Sequence, residues 1–338
     1  MAEKTVKKFW PEWEGEAREG ASGWNNTTRY LENNGLNCVL RIYETHREEK
    51  KVAFEHDILL KLASEPLSFQ IPSPVKTPEG TTIIRMEDGS GRFACLFEYI
   101  EGVSPKPEAF RAAYSFGLAA AELSETLART VPSLEPAYPP YYEITKAYPL
   151  CSPETVKSFC EQPEAAFADL GEPLRLLREA CMEVFDRLSE LEQLPKQLIH
   201  GDLNPSNLLV DEHHPEQVCA LLDFEFCTMD IRVMEPAVVL ADLIGSGRKE
   251  QAEQFCAGFG SRLRLSSQEV AVIPLLLRLR KVDVFLHFMS RYLNGTDAPE
   301  VLRAQIVTQA AGLRELRMDT LWLRDLLREH LLDHMKRE

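Results

Sequence analysis

The first hundred residues combine short β-type patterns with one helical pattern. Asn26–Leu31 and Cys38–Tyr43 favour strands, and the Asn-Gly pair between them predicts a tight hairpin. Apolar residues then recur at helical spacing through Glu48–Leu62. Two further strands are predicted at Thr81–Met86 and Arg92–Tyr99. This part of the chain is therefore expected to be a small sheet with one helix.

Beyond residue 102 the pattern becomes mostly helical. Amphipathic or apolar periodicity predicts long helices in five segments: Glu108–Arg129, Pro173–Leu194, Phe255–Arg264, Gln268–Leu293 and Pro299–Arg337. Short strands interrupt this helical part at three places: Gln197–His200, Asn207–Val210 and Val218–Asp223. Helix resumes near Met234.

This order of elements predicts an α+β protein in two lobes. Residues 1–98 form a small β-rich N-lobe, 99–102 form a connector, and 103–338 form a larger, mostly helical C-lobe. Each lobe is long enough to bury a core of its own.

The composition is that of a globular protein. Of the 338 residues, 44% are hydrophobic and 27% are charged, which is typical of globular domains. The N-terminus has no apolar run, and the apolar runs elsewhere are far shorter than the roughly 20 residues of a membrane span. Eight cysteines without a CxxC pair indicate reduced thiols. We expect a soluble, cytoplasmic protein that does not act on membranes; its oligomeric state stays open.

The formal net charge of −15 argues against nucleic acid as a partner. Residues 1–100 contain 13 basic and 16 acidic residues, which leaves 25 basic and 37 acidic residues for the rest. The C-lobe is therefore the acidic part. Its acidity indicates either a soluble surface or a site that attracts an amino-bearing substrate.

The most specific motif is a His-Gly-Asp triplet at 200–202, an Asn five residues after the Asp, and an Asp-Phe-Glu triplet at 223–225. Phosphoryl transfer needs a carboxylate beside the attacking hydroxyl group and oxygen ligands that hold Mg²⁺ against the phosphates. Asp202, Asn207 and Asp223 supply that set. Two short strands separate Asn207 from Asp223, so we expect both at neighbouring strand ends. The alternative is a buried turn rich in Asp and Asn, without chemistry.

This segment resembles the catalytic and metal-binding loops of the protein-kinase-like fold, as found in aminoglycoside phosphotransferases, choline kinases and type II homoserine kinases. The matching positions are His200, Gly201, Asp202, Asn207, Asp223 and Phe224. The resemblance implies that Asp202 orients the acceptor hydroxyl and accepts its proton, and that Asn207 and Asp223 bind Mg²⁺ beside ATP. It implies that His200 supports the loop rather than acting as a base, and that Glu225 is a further supporting residue.

The same resemblance assigns a phosphate clamp to the N-lobe. Arg41 occupies the strand position of the family's usual lysine, and Glu55 lies on the helix that supplies its acidic partner. A guanidinium group also binds phosphate, with a different geometry from an ammonium group. On the alternative reading, both residues are ordinary surface charges.

Two further nucleotide contacts are implied. A weakly glycine-rich loop with Gly23 and Asn26 would cover the phosphates, although a plain β-turn fits this segment nearly as well. Backbone groups of the connector at Glu98, Tyr99 and Ile100 would meet the adenine edge.

The acceptor is expected to be a small molecule with a hydroxyl group. A protein kinase needs a long activation segment after the metal-binding Asp, and helix resumes too soon after Asp223 for one. The acceptor pocket is expected near Glu225, Asp230, Glu235 and the helices from Gln268 onward. The sequence is most similar to homoserine-type kinases acting on an amino-bearing metabolite. Aminoglycoside and choline kinases are alternatives, and a catalytically silent pseudokinase is an alternative of another class.

Three other groups carry weaker hypotheses. His213 and His214 are interpreted as solvated residues of a polar turn rather than metal ligands. The aromatic run Tyr138–Tyr142 is interpreted as a packed surface loop, with a pocket wall as the alternative. His287 is interpreted as structural.

Overall fold

A five-stranded antiparallel sheet forms the N-terminal part of the computed structural model, which describes residues 2–13, 16–20, 26–33, 36–44, 48–106, 110–318 and 320–333. The strand order is β1-β2-β3-β5-β4. The bounds of its strands are β1 Glu16–Glu19, β2 Asn26–Asn33, β3 Leu36–Tyr43, β4 Ile84–Arg85 and β5 Phe93–Glu98. The predicted hairpin is confirmed, since Asn33 pairs with Leu36. The strand predicted at Thr81–Met86 is only two residues long.

Alternation along the strands gives the sheet two buried faces. Leu40 and Ile42 of β3 pack on one face against Trp10, which follows helix α1 (Ala2–Phe9). Tyr43, the next residue, packs on the other face with helix α2 (Glu49–Leu62). The predicted helix at Glu48–Leu62 is confirmed, whereas α1 and β1 were not predicted.

Helices make up most of the chain beyond the sheet. Their bounds are α3 Ala113–Leu127, α4 Ile144–Ala147, α5 Pro153–Glu161, α6 Gly171–Arg187, α7 Met234–Gly245, α8 Lys249–Arg262, α9 Ser267–Leu293, α10 Pro299–Met318 and α11 Thr320–His330. The prediction of a small β-rich part followed by a larger helical part is confirmed. The lobe boundaries at 98 and 102 stay predictions.

Several helix predictions need correction. The helix predicted from Glu108 begins at Ala113, because Phe110 and Ala112 pack into the core in a non-helical conformation; 107–109 lie outside the described residues. The helix predicted as Pro299–Arg337 consists of α10 and α11, and Leu332 beyond it bridges to Leu265. Helices α4 and α5 were not predicted, although α5 has a Ser N-cap followed by proline.

Two small strand pairs hold the motif. Strand β6 (Lys196–Ile199) pairs with β9 (Thr228–Ile231), which the sequence pattern did not predict. Strand β7 (Leu208–Val210) pairs with β8 (Val218–Leu221), and this pairing was predicted. The loop after β6 and the turn after β8 therefore meet.

Burial agrees with the expected thiol chemistry. All eight cysteines have free thiols, and seven of them are buried, with Cys219 at intermediate exposure. Within the described part of the chain, no helix is both long enough and apolar enough to cross a bilayer.

Candidate active site

The loop after β6 turns sharply at Gly201. This glycine has φ +80°, and a Cβ atom there would lie 2.9 Å from the carbonyl oxygen of Phe226. Both the left-handed conformation and the close approach therefore require glycine. The turn brings the backbone directly before Asp202 against Phe226.

His200 supports this loop from within the protein. Its Nε2 lies 2.9 Å from the carbonyl oxygen of Leu222, and its backbone N–H donates to Glu235 Oε2 at 2.6 Å. The ring is fully buried, and this burial lowers the pKa of His200 to about 4. The ring Nδ1 accepts the backbone N–H of Asp202 at 3.3 Å. The neutral ring is thus held at both nitrogens, which fits the supporting role expected for His200.

Asp202 is held on both of its oxygens. Asn207 donates through Nδ2 to Asp202 Oδ2 at 3.1 Å and to the backbone oxygen of Asp202 at 3.0 Å. Arg280 donates through Nη2 to Asp202 Oδ1. Burial raises the pKa of Asp202, while the Arg280 guanidinium acts in the opposite direction.

Asn207 and Asp223 lie at neighbouring strand ends, as predicted from the spacing. The backbone N–H of Leu222 donates to the backbone oxygen of Asn207 at 2.9 Å. Asp223 then adopts a left-handed conformation with φ 67° and ψ 62°, which is uncommon outside glycine. Burial raises the pKa of Asp223 to about 7, with Arg41 opposing the shift.

The donor set fits a metal ion that is shared with a nucleotide. The Nδ2 atom of Asn207 is engaged with Asp202, which leaves its Oδ1 as a ligand beside the Asp223 carboxylate. Among the described residues, no group of three or more His, Cys, Asp or Glu could hold a metal alone. Phosphate oxygens and water would have to complete the coordination.

Arg41 and Glu55 meet as the sequence predicts; Glu55 is buried and Arg41 is partly buried, so neither is an ordinary surface charge. Arg41 Nη1 lies 3.1 Å from Glu55 Oε1 and 3.2 Å from Asp223 Oδ1. Tyr43 donates from its hydroxyl to Glu55 Oε2 at 2.8 Å. The side chain of Glu55 is only 1% exposed, so its charge depends on these partners.

The expected phosphate loop is described only in part. Gly23 lies outside the described residues, and Asn26 begins β2. Asn26 Nδ2 donates to Glu225 Oε2 at 2.8 Å, and the buried Asn26 Oδ1 has no hydrogen-bond partner among the described residues. This contact ties the sheet to the turn after Asp223.

Two of the three N–H groups of the connector are already engaged within the protein, and its adenine contacts stay a prediction. The N–H groups of Glu98 and Tyr99 donate to the backbone oxygens of Ser73 and Asn37, at 3.0 and 3.1 Å. Of the three predicted residues, only Ile100 keeps an N–H without a hydrogen bond to the described part of the chain.

A cavity of about 750 Å³ opens beside Asp202. Its wall includes aromatic and charged side chains from three segments: Tyr138, Tyr141, Tyr148, Asp202, Arg280 and Asp283. The alternative interpretation of Tyr138–Tyr142 as a pocket wall therefore holds for residues 138–141, which form part of the wall, whereas Tyr142 does not line the cavity. His287 also lines the cavity, where its ring packs edge-on against Tyr148.

Asp230 and Glu235 do not line this cavity, which corrects the predicted pocket. Asp230 accepts the backbone N–H of Tyr141 at 2.5 Å and is fully buried. Glu235 accepts the N–H groups of His200 and Gly201. Both carboxylates fasten loops because buried backbone donors need acceptors.

Arg280 was missed by the sequence reasoning. It lies on α9 and is separated from Asp202 by 78 positions along the chain. The sequence does not single it out, because α9 contains several other charged residues.

His213 and His214 behave as a polar turn. Their backbone N–H groups both donate to Asp211 Oδ1 at 2.8 Å. The side chains form no metal cluster within the described residues.

Comparison with known proteins identifies the family. The model of a family described as the phosphotransferase enzyme family (APH) matches residues 16–270. The chain belongs to this family. It is a phosphotransferase that acts on hydroxyl groups of small molecules, with the protein-kinase-like fold of the family. A comparison with curated protein sequences finds no match.

Solved structures of this fold cover nearly the whole chain. One is a microcompartment-associated aminopropanol kinase, with a TM-score of 0.73, 20% identity and coverage of 96% of this chain and 98% of that chain. Another is an amicoumacin kinase in complex with AMP-PNP, Ca²⁺ and its ligand. It has a TM-score of 0.65 and 16% identity, with coverage of 95% of this chain and 94% of that chain. A choline/ethanolamine kinase family protein from Mesorhizobium loti has a TM-score of 0.61 and 15% identity, with coverage of 96% of each chain. At these identities the similarity shows the fold.

Proposed function

We propose that the protein is an ATP- and Mg²⁺-dependent kinase whose acceptor alcohol binds in the cavity beside Asp202. The observation that carries the proposal is the position of Asp202. Its carboxylate forms part of the cavity wall and is also hydrogen-bonded to Asn207, one of the two candidate metal ligands. A hydroxyl group in the cavity would thus lie next to the phosphoryl group to be transferred.

Each residue of the site has a role in this reaction. The acceptor oxygen attacks the γ-phosphorus, the bond from the γ-phosphorus to the β–γ bridging oxygen breaks, ADP leaves, and the hydroxyl proton passes to Asp202. Asn207 and Asp223 would hold a metal ion, which would supply positive charge against the phosphates. Arg41, fixed by Glu55 at 3.1 Å, is positioned to bind the phosphates.

The acceptor is a small molecule, and we propose that it is an amino-bearing metabolite of the homoserine type. The Asp283 carboxylate and the rings of Tyr138, Tyr141 and Tyr148 in the cavity wall can accept an ammonium group. Two of the similar structures are named as kinases of amino alcohols, aminopropanol in one and choline or ethanolamine in the other.

The test compares turnover and nucleotide binding in two variants. We expect Asp202→Asn to lower Mg-ATP turnover with a panel of hydroxyl compounds about 10²–10⁴-fold, as for loss of a general base, with nucleotide binding kept. Asp223→Ala should lose Mg²⁺-dependent nucleotide binding, measured by calorimetry. Asp169→Asn, at an exposed ion pair with Arg303, is the control.

Two outcomes would contradict the proposal. Equal nucleotide affinity in the Asp202 and Asp223 variants would contradict the assigned roles. If wild type binds ATP but phosphorylates none of a broad panel of alcohols, the pseudokinase alternative is favoured instead.

A further inference from the structure

Arg280 projects from α9 to the centre of the site and contacts three functional groups. Its Nη2 pairs with Asp202 Oδ1, and its Nη1 contacts the hydroxyl of Tyr141 at 2.8 Å and Asp283 Oδ2 at 3.1 Å. The side chain is 20% exposed and lines the cavity. Its Nε and one hydrogen of Nη2 have no hydrogen-bond partner in the described part of the chain. The guanidinium group therefore has donors that are available to a further acceptor.

This contact competes with the hydrogen bond that the acceptor hydroxyl makes to Asp202. Asp202 must accept a hydrogen bond from the acceptor hydroxyl, yet Arg280 donates to its Oδ1 and Asn207 to its Oδ2. A cation beside a carboxylate also weakens it as a base. Asp202 therefore becomes a stronger base, with a free site on Oδ1, when Arg280 exchanges it for another partner.

The other cations of the cavity wall have carboxylate partners outside it. Arg291 forms two hydrogen bonds to Asp297, at 2.6 and 2.7 Å. Lys146 pairs with Glu143, and Lys51 pairs with Glu48. Arg280 differs because one of its two carboxylate partners is the residue needed for chemistry.

We propose that Arg280 selects an acceptor that carries a carboxylate as well as its hydroxyl group, and that this carboxylate draws the guanidinium away from Asp202. The inference rests on the proposed kinase function and adds the substrate class. A guanidinium group matches a carboxylate through two parallel hydrogen bonds. Because one ion pair replaces another, the exchange costs little while Asp283 and Tyr141 keep hold of Nη1.

A single negative charge fits this site better than a phosphate group. Asp283 Oδ2 lies 3.1 Å from the same guanidinium, so any anion bound there also meets its negative charge. A phosphate monoester carries about −1.5 to −2 at neutral pH and would be repelled more strongly than a carboxylate. An acceptor with only an ammonium group would leave Arg280 on Asp202.

The experiment uses three probes that differ in charge: 4-hydroxybutyrate, its neutral isostere 4-hydroxybutyramide, and the cation 3-aminopropan-1-ol. Full-length wild type is compared with Arg280→Gln, Arg280→Lys and the control Arg278→Gln. Arg278 lies on the same helix at the same 20% exposure and does not line the cavity. The readouts are kcat and KM for ADP release, and calorimetric binding with a non-hydrolysable ATP analogue.

We expect wild type and Arg278→Gln to prefer the carboxylate to the amide at least about tenfold in kcat/KM, which is about 1.4 kcal/mol. Arg280→Gln should lose this preference through a higher KM for the carboxylate, and its kcat for the neutral amide should rise because Asp202 is freed. Arg280→Lys should restore part of the preference.

Two results would overturn the inference. One is a preference for the ammonium probe or the amide in wild type. The other is a carboxylate preference that survives in Arg280→Gln. If wild type phosphorylates none of the probes, the kinase proposal fails for them. Binding still decides the inference, because a carboxylate that binds wild type no more tightly than its amide overturns it.

Discussion

At the scale of single residues, Arg41 contacts both a buried carboxylate and a candidate metal ligand. Its Nη1 serves both Glu55 and Asp223, and its guanidinium carbon lies 5.3 Å from the centre of the Phe97 ring. Without Arg41, the nearly inaccessible Glu55 would lose the guanidinium that lies 3.1 Å from its Oε1. Removal of one member of a buried ion pair costs more than the pair contributes, because the other charge stays behind.

We expect Arg41→Met to destabilise the fold by about 3–5 kcal/mol, as for a buried pair broken on one side, and to abolish nucleotide binding. Arg41→Lys should keep the charge opposite Glu55 and retain most of both properties. Urea denaturation and nucleotide calorimetry measure the two effects.

The control for Arg41 is Arg85→Met, which breaks an exposed pair with Glu49 and should change stability by less than about 1 kcal/mol. If Arg41→Met is as stable as this control, the pair of Arg41 with Glu55 does not contribute to the stability of the fold.

Site residues could be recognised from the sequence where their spacing along the chain is characteristic. His200, Asp202, Asn207 and Asp223 were found because their separations are short and regular. Arg280 has no such relation to Asp202. The packing of α9 against the segment 137–148 brings it there, through the contacts of Arg280 with Tyr141 and of Asp283 with Tyr148.

At the scale of elements, helices α3 and α8 pack closely through paired glycines. A Cβ atom on Gly117 would lie 2.2 Å from the backbone oxygen of Phe255, and one on Gly258 would lie 2.1 Å from that of Tyr114. Each glycine thus meets the backbone of the opposite helix. This contact orients α8 against α3, and α3 lies beside β6, which leads into the catalytic loop.

We expect Gly258→Ala to lower the free energy of unfolding by at least about 1–3 kcal/mol, because the backbone of α3 must move to admit a methyl group. Gly171→Ala is the matched control, since nothing lies within 4 Å of a Cβ atom at the start of α6. Thermal and urea unfolding of both variants measure the difference. Equal stability would show that the helices separate without cost.

Elements with strong periodicity were predicted, and short ones were not. Helices α2 and α9 follow the pattern closely, since one face of each is apolar over many turns. Strand β9 has only four residues, and its partner β6 lies far away in the sequence. The pairing of so short a strand depends on what it meets in the fold.

At the scale of the whole molecule, burial changes the charge state of several carboxylates. Burial raises the pKa of Asp230 and of Glu235 to about 7, although backbone N–H groups act in the opposite direction. In the unfolded chain both groups titrate near pH 4. The folded protein therefore binds more protons than the unfolded chain between about pH 4 and pH 7.

It follows that stability should fall as pH rises from about 5 to 7.5, because the raised pKa values favour the fold only while these groups stay protonated. We expect the fall to be smaller in Asp230→Asn, measured by urea unfolding at both pH values. Asp169→Asn is the control, since hydrogen bonding from Arg303 lowers the pKa of Asp169 to about 2 and the group is ionised throughout. A steeper fall in Asp230→Asn would contradict the assignment.

The sequence by itself determined the class of fold, the order of its elements, and the positions of Asp202, Asn207 and Asp223. These properties follow from local periodicity and from separations of a few residues, which a linear pattern records. The tertiary structure decided which carboxylates are buried, which backbone donors of the connector are already used, and that Arg280 lies against Asp202. Those properties depend on contacts between distant segments, and burial sets their electrostatics.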